Sequence, residues 1–301
     1  MRIPHLALLT VLVACGGRHP GAYTAVETAG EQEAAEALLV EADALWAERD
    51  DEAQLQAALE VYERALAADS TNRHALERLT RGWYFWGDAF TDDEDLQIER
   101  WAEAIAYGTR CLALNEEFRA RIDAGDRERD AVAANTIDDV PCLYWTATAL
   151  GKWGRAEGLS TILRHRPTVL AYISKVEELD PEFFYYGPAR YWGAYYSALP
   201  SFAGQDFEKS AEYFAASLEG APEYLGTRVL RAEFLAVPTS DLRTFDRDLR
   251  AVLRADPGDD PDIAPENAME QAKAKRLLEE RSTLFGRRTL EAAEGGDGDE
   301  E

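Results

Sequence analysis

Histidine and cysteine, the residues most often recruited for metal binding and nucleophilic chemistry, are scarce, with four histidines and three cysteines in 301 residues. His19, His74 and His165 are scattered along the chain, and neither an H-E-x-x-H zinc helix nor a C-x-x-C pair occurs. A G-x-S-x-G nucleophile elbow, a phosphate loop and a dinucleotide glycine fingerprint are also missing, so hydrolase, nucleotidase and dehydrogenase classes lose their usual support. Asp256, Asp259, Asp260 and Asp262 do not follow the spacing of a calcium loop, and Pro257 and Pro261 interrupt them. Acid pairs occur throughout, so no two carboxylates single themselves out as a general acid and base. The chain therefore reads as a non-enzyme with no cofactor and no metal. Lys and Arg are outnumbered by Asp and Glu, 32 to 57, for a net charge of −25. That balance argues against nucleic-acid binding, which depends on clustered Lys and Arg, and it should keep the body of the protein off anionic lipid. Beyond the first fifteen residues no apolar run approaches the length of a membrane span. Period-two strand patterns are lacking as well.

The N-terminus is different. Arg2 precedes a short apolar run, and Leu12-Val13-Ala14-Cys15 then reads as a bacterial lipobox. Leu6 to Ala14 is too short to cross a bilayer as a stable helix, and a small residue before the cleavage point suits a signal peptidase. The expected boundaries are a signal peptide over 1–14, a lipid-anchored linker over 15–30 beginning at Cys15, a helical domain over 31–286, and an acidic Gly-rich tail over 287–301 that should be disordered. Acyl chains on Cys15, each CH₂ contributing roughly 0.8 kcal/mol on burial, would hold the domain at a membrane surface. Lipid is then the sole membrane attachment, on the periplasmic face. Gly16 stands where a retention Asp would otherwise sit, which favours the outer membrane. The remaining cysteines, Cys111 and Cys142, would lie in a compartment where disulfides persist. Spacing leaves open whether they form a bridge or serve as small core residues.

Hydrophobic residues make up 46% of the chain, enough for a real core, and their periodicity is helical. Ala58, Tyr62, Ala65, Leu66 and Ser70 follow the spacing of the second helix of a tetratricopeptide repeat, with Ala42, Leu45 and Trp46 at matching offsets before it. Weaker copies follow at Ala104/Gly108/Cys111/Leu112, Val169/Ile173/Val176/Pro181, Ser210/Phe214/Ser217/Leu218/Pro222 and Phe245/Leu249/Val252/Leu253/Pro257. Insertions at 91–95, 115–140, 157–167 and 199–204 make the spacing irregular. Within the third, His165 between Arg164 and Arg166 reads as a solvated helix-end or loop residue. Asp180-Pro181-Glu182 offers a helix start, and Pro265-Glu266 opens a last helix to about Phe285. The expected fold is all-α, a tetratricopeptide-like solenoid of antiparallel helix pairs.

The densest chemical signal is aromatic. It lies in Trp83-Tyr84-Phe85-Trp86, in Tyr144-Trp145 with Trp153, and in the run Phe183 to Tyr196. Adjacent aromatics on a helix sit about 100° apart, so tandem pairs need either burial on all sides or a second apolar surface. That surface could be a ligand channel or an oligomer interface; a thick core with tyrosine hydroxyls reaching water is the plainer alternative. The channel candidates are Trp83, Trp86, Tyr144, Trp145, Tyr186, Arg190, Tyr191, Trp192 and Tyr195. Arg190 is the cation of the densest block, suited either to orient an acidic headgroup or to stack on a ring and pair with a carboxylate.

Together the lipobox, the irregular helix pairs, Tyr144-Trp145 with Ala147, Ala149, Gly151 and Trp153, and the block Gly187-Pro188-Ala189-Arg190-Tyr191-Trp192-Gly193-Ala194-Tyr195-Tyr196 ending at Pro200 resemble the TatT family. That family is the lipoprotein T component associated with some TRAP transporters. The resemblance implies a periplasmic all-helical lipoprotein, a homotrimer with a pore through each protomer, that partners the transporter's substrate-binding protein and handles a small apolar ligand. A second reading is an outer-membrane tetratricopeptide lipoprotein that scaffolds envelope protein assembly through a concave peptide-binding surface. A glycan-processing enzyme on a helical solenoid is a third, disfavoured because no catalytic constellation stands out. The anchoring expectation is tested by Cys15→Ala, which should leave the protein unlipidated and shift it out of the membrane fraction. Retention there of a correctly cleaved variant would contradict the lipobox.

Overall fold

The computed structural model describes residues 32–286. Cys15, the linker and the acidic tail lie outside the described residues. Within them the fold is all-α, with no strand. The helices are α1 (Gln32–Ala47), α2 (Glu52–Ala68), α3 (Arg73–Ala89), α4 (Glu94–Leu112), α5 (Glu116–Asp123), α6 (Glu128–Ala131), α7 (Val140–Ala156) and α8 (Leu159–Leu179). They continue with α9 (Phe183–Ala198), α10 (Phe207–Gly220), α11 (Gly226–Arg231), α12 (Leu242–Arg254), α13 (Ala264–Glu279) and α14 (Arg281–Leu284).

Local chemistry sets many of the starts. The side chains of Asp51, Asn72, Asp93, Asn115, Asp206 and Asp241 each accept from backbone N–H groups of the following first turn, a cap contributing about 1 kcal/mol. Pro265 sits in the first turn of α13, where its missing N–H costs nothing. The repeating small and apolar positions fall on α2, α4, α8, α10 and α12, and Ala58, Ala65, Ala104, Val169, Phe214 and Phe245 are all buried. Each of these helices packs on its predecessor, giving the pairs α1–α2, α3–α4, α7–α8, α9–α10 and α11–α12. The core is one large cluster across α1–α3, α7, α8 and α9, with satellites around Trp101 and Trp153 and around Phe245 and Phe285.

The insertions are more ordered than their sequence suggests. Residues 115–140 carry α5, α6 and two single 3₁₀ turns, anchored by fully buried Phe118 and by Asp139, which takes Arg73 at 3.0 Å and Asn115 at 2.7 Å. Residues 157–167 are mostly helix rather than a connecting insertion. α8 begins after Gly158 at φ 109° and runs straight through Pro167. His165, expected in solvent, is buried against the Trp153 ring. Packing on α7 offsets the lost proline N–H, so tertiary burial overrides the local signal. Between α4 and α7 the sulfurs of Cys111 and Cys142 are joined, with Cα atoms 5.9 Å apart.

Long-range ion pairs draw α13 onto the first half of the chain. Glu266 is held between Arg49 and Arg81, at 2.5 and 2.6 Å. Further along, Lys273 meets Asp88 at 2.6 Å and Arg276 meets Asp92 at 2.8 Å. The Arg49–Glu266–Arg81 triad is nearly solvent-free, and removing one member of such a group leaves buried charge uncompensated, at about 3–5 kcal/mol. Glu266→Gln is therefore expected to lower unfolding free energy by about 3 kcal/mol, measured by urea denaturation. A loss below about 1 kcal/mol would show that the triad is not what fastens α13.

Candidate functional site

One face of α3 carries His74, Glu77, Arg78 and Arg81 at i, i+3, i+4 and i+7, a single polar stripe along the helix. The other side of α3 buries Ala75, Leu76 and Leu79, so the stripe looks away from that part of the core. Facing it are Pro141 and Trp145, one turn apart on α7, and Phe183 and Phe184 at the entry to α9. Together these residues line a half-open cavity of about 220 Å³. One wall is basic and the other aromatic.

The aromatic wall depends on an unusual piece of backbone. Phe184, Tyr185 and Tyr186 all have left-handed dihedrals, with φ of 47°, 57° and 56°. The helix start expected from Asp180-Pro181-Glu182 is therefore not made there. Right-handed helix resumes only around Gly187 and Pro188, where proline has no N–H to give. Left-handed geometry costs an L-residue roughly 1–2 kcal/mol, so three in a row cost about 3–6 kcal/mol. Arg190 provides the offset. Its guanidinium donates to the carbonyls of Tyr185 at 2.9 Å and Phe184 at 3.1 Å and to the Tyr144 hydroxyl at 3.3 Å, and lies 4.0 Å from the centre of the Tyr224 ring. Hydrogen bonds from a charged donor contribute about 1.5–3 kcal/mol each, comparable to the strain. Gly187 completes the turn, because a Cβ there would lie 2.7 Å from the Tyr144 ring.

The basic wall is only partly neutralised. Arg81 binds Glu266 and lies against Phe184 at 4.6 Å and Trp145 at 5.1 Å from the ring centres. Arg78 approaches Asp43 at 3.8 Å and stacks over Trp46 at 5.1 Å. Asp43 is already engaged, accepting from Tyr62 at 2.5 Å and meeting His74 Nε2 at 2.8 Å. The Nε atoms of both Arg78 and Arg81 are buried without a hydrogen-bond partner among the described residues. Burial, helped by the nearby Arg81 and Arg49 charges, lowers Arg78 from its ordinary value. Burial also pushes the Glu77 carboxyl up to about 7, against the pull of Arg73 and Arg78. Glu77 lies beside the Cys111–Cys142 sulfurs, all within 4.8 Å of one another. Because those sulfurs are bonded to each other, they offer no thiolate pair to a cation.

Of the sequence-derived candidates, Trp145 lines this cavity. Tyr144 and Arg190 stand behind it as the brace of the left-handed turn. Arg190 is 3% exposed and meets carbonyls and rings rather than a carboxylate. Trp83 packs on Trp86 at 5.0 Å with its Nε1 buried and unpaired, and Trp86 itself donates to Glu52 under the Arg100 guanidinium. Trp192 donates to Glu177, Tyr186 donates to Glu182, and Tyr195 accepts from Arg166. Tyr191 fits against Gly151. His74, Glu77, Arg78, Arg81, Pro141, Phe183 and Phe184 were not singled out from the sequence. For the α3 residues the available signal was the charged stripe, which reads like a solvated helix face, whereas Phe183 and Phe184 belonged to the aromatic run without being chosen as channel candidates.

Further along α3, Asp88 sits between Lys152 at 2.5 Å and Lys273 at 2.6 Å. Burial alone would raise this carboxyl, but the two ammonium groups outweigh it and hold Asp88 well below its ordinary range. This cluster ties α3, α7 and α13 together near the cavity.

The raised Glu77 value gives a signed prediction. The folded state keeps its proton where the unfolded chain has released it, so the stability linked to Glu77 is fully present below the ordinary value of 4.5 and is lost as pH rises through about 7. Glu77→Gln should remove that slope and make the protein more stable than wild type at pH 8, by up to about 3 kcal/mol. Paired melting curves from pH 4 to 8 check this, and a wild-type-minus-variant difference independent of pH would contradict it.

No helix among the described residues is long and apolar enough to cross a membrane. No curated protein matches the chain. The family model of the TRAP transporter T-component matches residues 51–285, from the second helix to the end of the last. That span takes in every helix that builds the cavity, and the family is one of transporter components rather than enzymes. The chain belongs to the TRAP transporter T-component family.

Proposed function

We propose that this T-component is a lipoprotein held at the periplasmic face of the envelope, in the outer membrane, through Cys15. In this reading it partners the substrate-binding protein of its transporter and holds a small apolar or amphipathic ligand in the cavity between α3, α7 and the entry to α9. The helix pairs form a tetratricopeptide-like solenoid, and the family resemblance supplies the homotrimer and the passage through each protomer. Half-buried Trp83, Tyr84, Tyr191 and Tyr195 would extend the aromatic lining beyond the cavity.

The observation that carries this reading is the left-handed turn. Backbone held at such cost is concentrated at ligand clamps and switches, and here it delivers Phe183 and Phe184 to a cavity wall. Arg190 is then a positioning residue: it fixes the wall without touching the ligand. The scaffold reading draws support from a different fact, that Trp86, Trp192 and Tyr195 are tied to protein partners.

Calorimetric titration of small apolar and amphipathic compounds into the full-length protein tests the reading. Trp145→Ala and Phe184→Ala should each weaken binding at least tenfold while leaving the helical spectrum unchanged. Cross-linking in cells should also capture the substrate-binding protein. Failure of every compound to bind, with an intact capture of envelope assembly proteins instead, would replace the ligand reading by the scaffold.

A further inference from the structure

The cavity's two walls differ in kind, and the difference specifies a ligand. On the α3 side three guanidinium groups, Arg49, Arg78 and Arg81, gather around two committed carboxylates. Glu266 is divided between Arg49 and Arg81, and Asp43 is divided between Tyr62, His74 and the more distant Arg78. The balance is positive. The Nε atoms of Arg78 and Arg81 are without a hydrogen-bond partner among the described residues. Arg78 is partly open to the cavity, at 30% exposure, and an incoming carboxylate matches the planar fork of a guanidinium. On the other side Pro141, Trp145, Phe183 and Phe184 present only hydrocarbon and ring faces. A cavity of about 220 Å³ limits the occupant to a small molecule.

We propose that the cavity binds a small monocarboxylic acid with an aromatic or short alkyl body, its carboxylate on Arg78 and Arg81 and its body against Trp145, Phe183 and Phe184. This rests on the ligand-binding reading above and adds the charge and size of the ligand. Lys is not equivalent to Arg at such a position, because a point charge cannot reproduce the two-pronged contact. Glu77 lies on the same wall, and its raised affinity for a proton lessens the repulsion an acid would otherwise meet there. Arg73 and Arg78 on α3, with Asp138 and Asp139 ahead of α7, are the other charges acting on Glu77.

The test compares phenylacetate with 2-phenylethanol, which keeps the ring and lacks the carboxylate, by calorimetry on the full-length protein at pH 6.5. Octanoate and 1-octanol form a second pair. The acids should bind at least tenfold more tightly than the alcohols. Arg78→Gln should weaken the acids at least tenfold and leave the alcohols unchanged. Arg78→Lys keeps the charge and the stacking stem, serves where the Gln variant does not fold, and should weaken the acids by a smaller factor. Equal binding of acid and alcohol to the wild type would overturn the carboxylate assignment while leaving an apolar-ligand cavity in place. Acid binding insensitive to both Arg78 variants, with melting unchanged, would overturn it too. Absence of binding by all four probes would remove the proposal together with the reading it rests on.

Discussion

A guanidinium hydrogen-bonded to two backbone carbonyls governs the shape of this molecule's interior. Without Arg190, consecutive Phe184, Tyr185 and Tyr186 have no reason to remain left-handed, because each would relax toward ordinary helix or extended chain. With it, the chain leaving α8 reverses hand for three residues, throws Phe183 and Phe184 toward α3, and only then begins the helix that carries Trp192 and Tyr195. The Tyr144 hydroxyl and the Tyr224 ring close around the same cation, so the brace also joins α7 to the segment before α11. An arginine without a carboxylate is tolerable in this buried place because its donors find carbonyl oxygens and its flat faces find rings.

Arg81 plays the connecting part on the opposite wall. It belongs to the buried triad that holds α13, and it also touches Phe184 and Trp145. The attachment of the C-terminal helices and the shape of the cavity therefore share one side chain. Asp88, between Lys152 and Lys273, repeats the arrangement a few turns further on. Such contacts, made by long side chains between elements far apart in sequence, supply specificity of placement more than raw stability.

The acidity of the chain, a net charge of −25, makes the local positive balance at the cavity more informative. In a molecule where carboxylates are abundant, Arg78 has only a distant share of an already occupied one. Local excess of the minority charge, next to rings, is what a site for an anion with an apolar body requires.

Much of the fold was legible from residue order. The i, i+4, i+7 pattern of small and apolar positions placed α2, α4, α8, α10 and α12, since helical periodicity is a local property that solvent exclusion enforces wherever a helix packs. Pro265-Glu266 marked the start of α13, because a first-turn proline lacks an N–H that the helix would leave unpaired anyway. The aromatic blocks marked the important region for a similar reason, as tandem rings exceed what one buried stripe absorbs. Sequence could not decide which rings line a cavity and which fill a core. That choice depends on the hand of the backbone at Phe184, set by Arg190 reaching back from the next turn, and on α8 continuing through the exposed Pro167 because its other face packs on α7. The basic stripe of α3 looks like any solvated face until α7 and the entry to α9 are laid over it. Whether a charge is solvated or sequestered is a property of what packs against it, and only the tertiary structure supplies that.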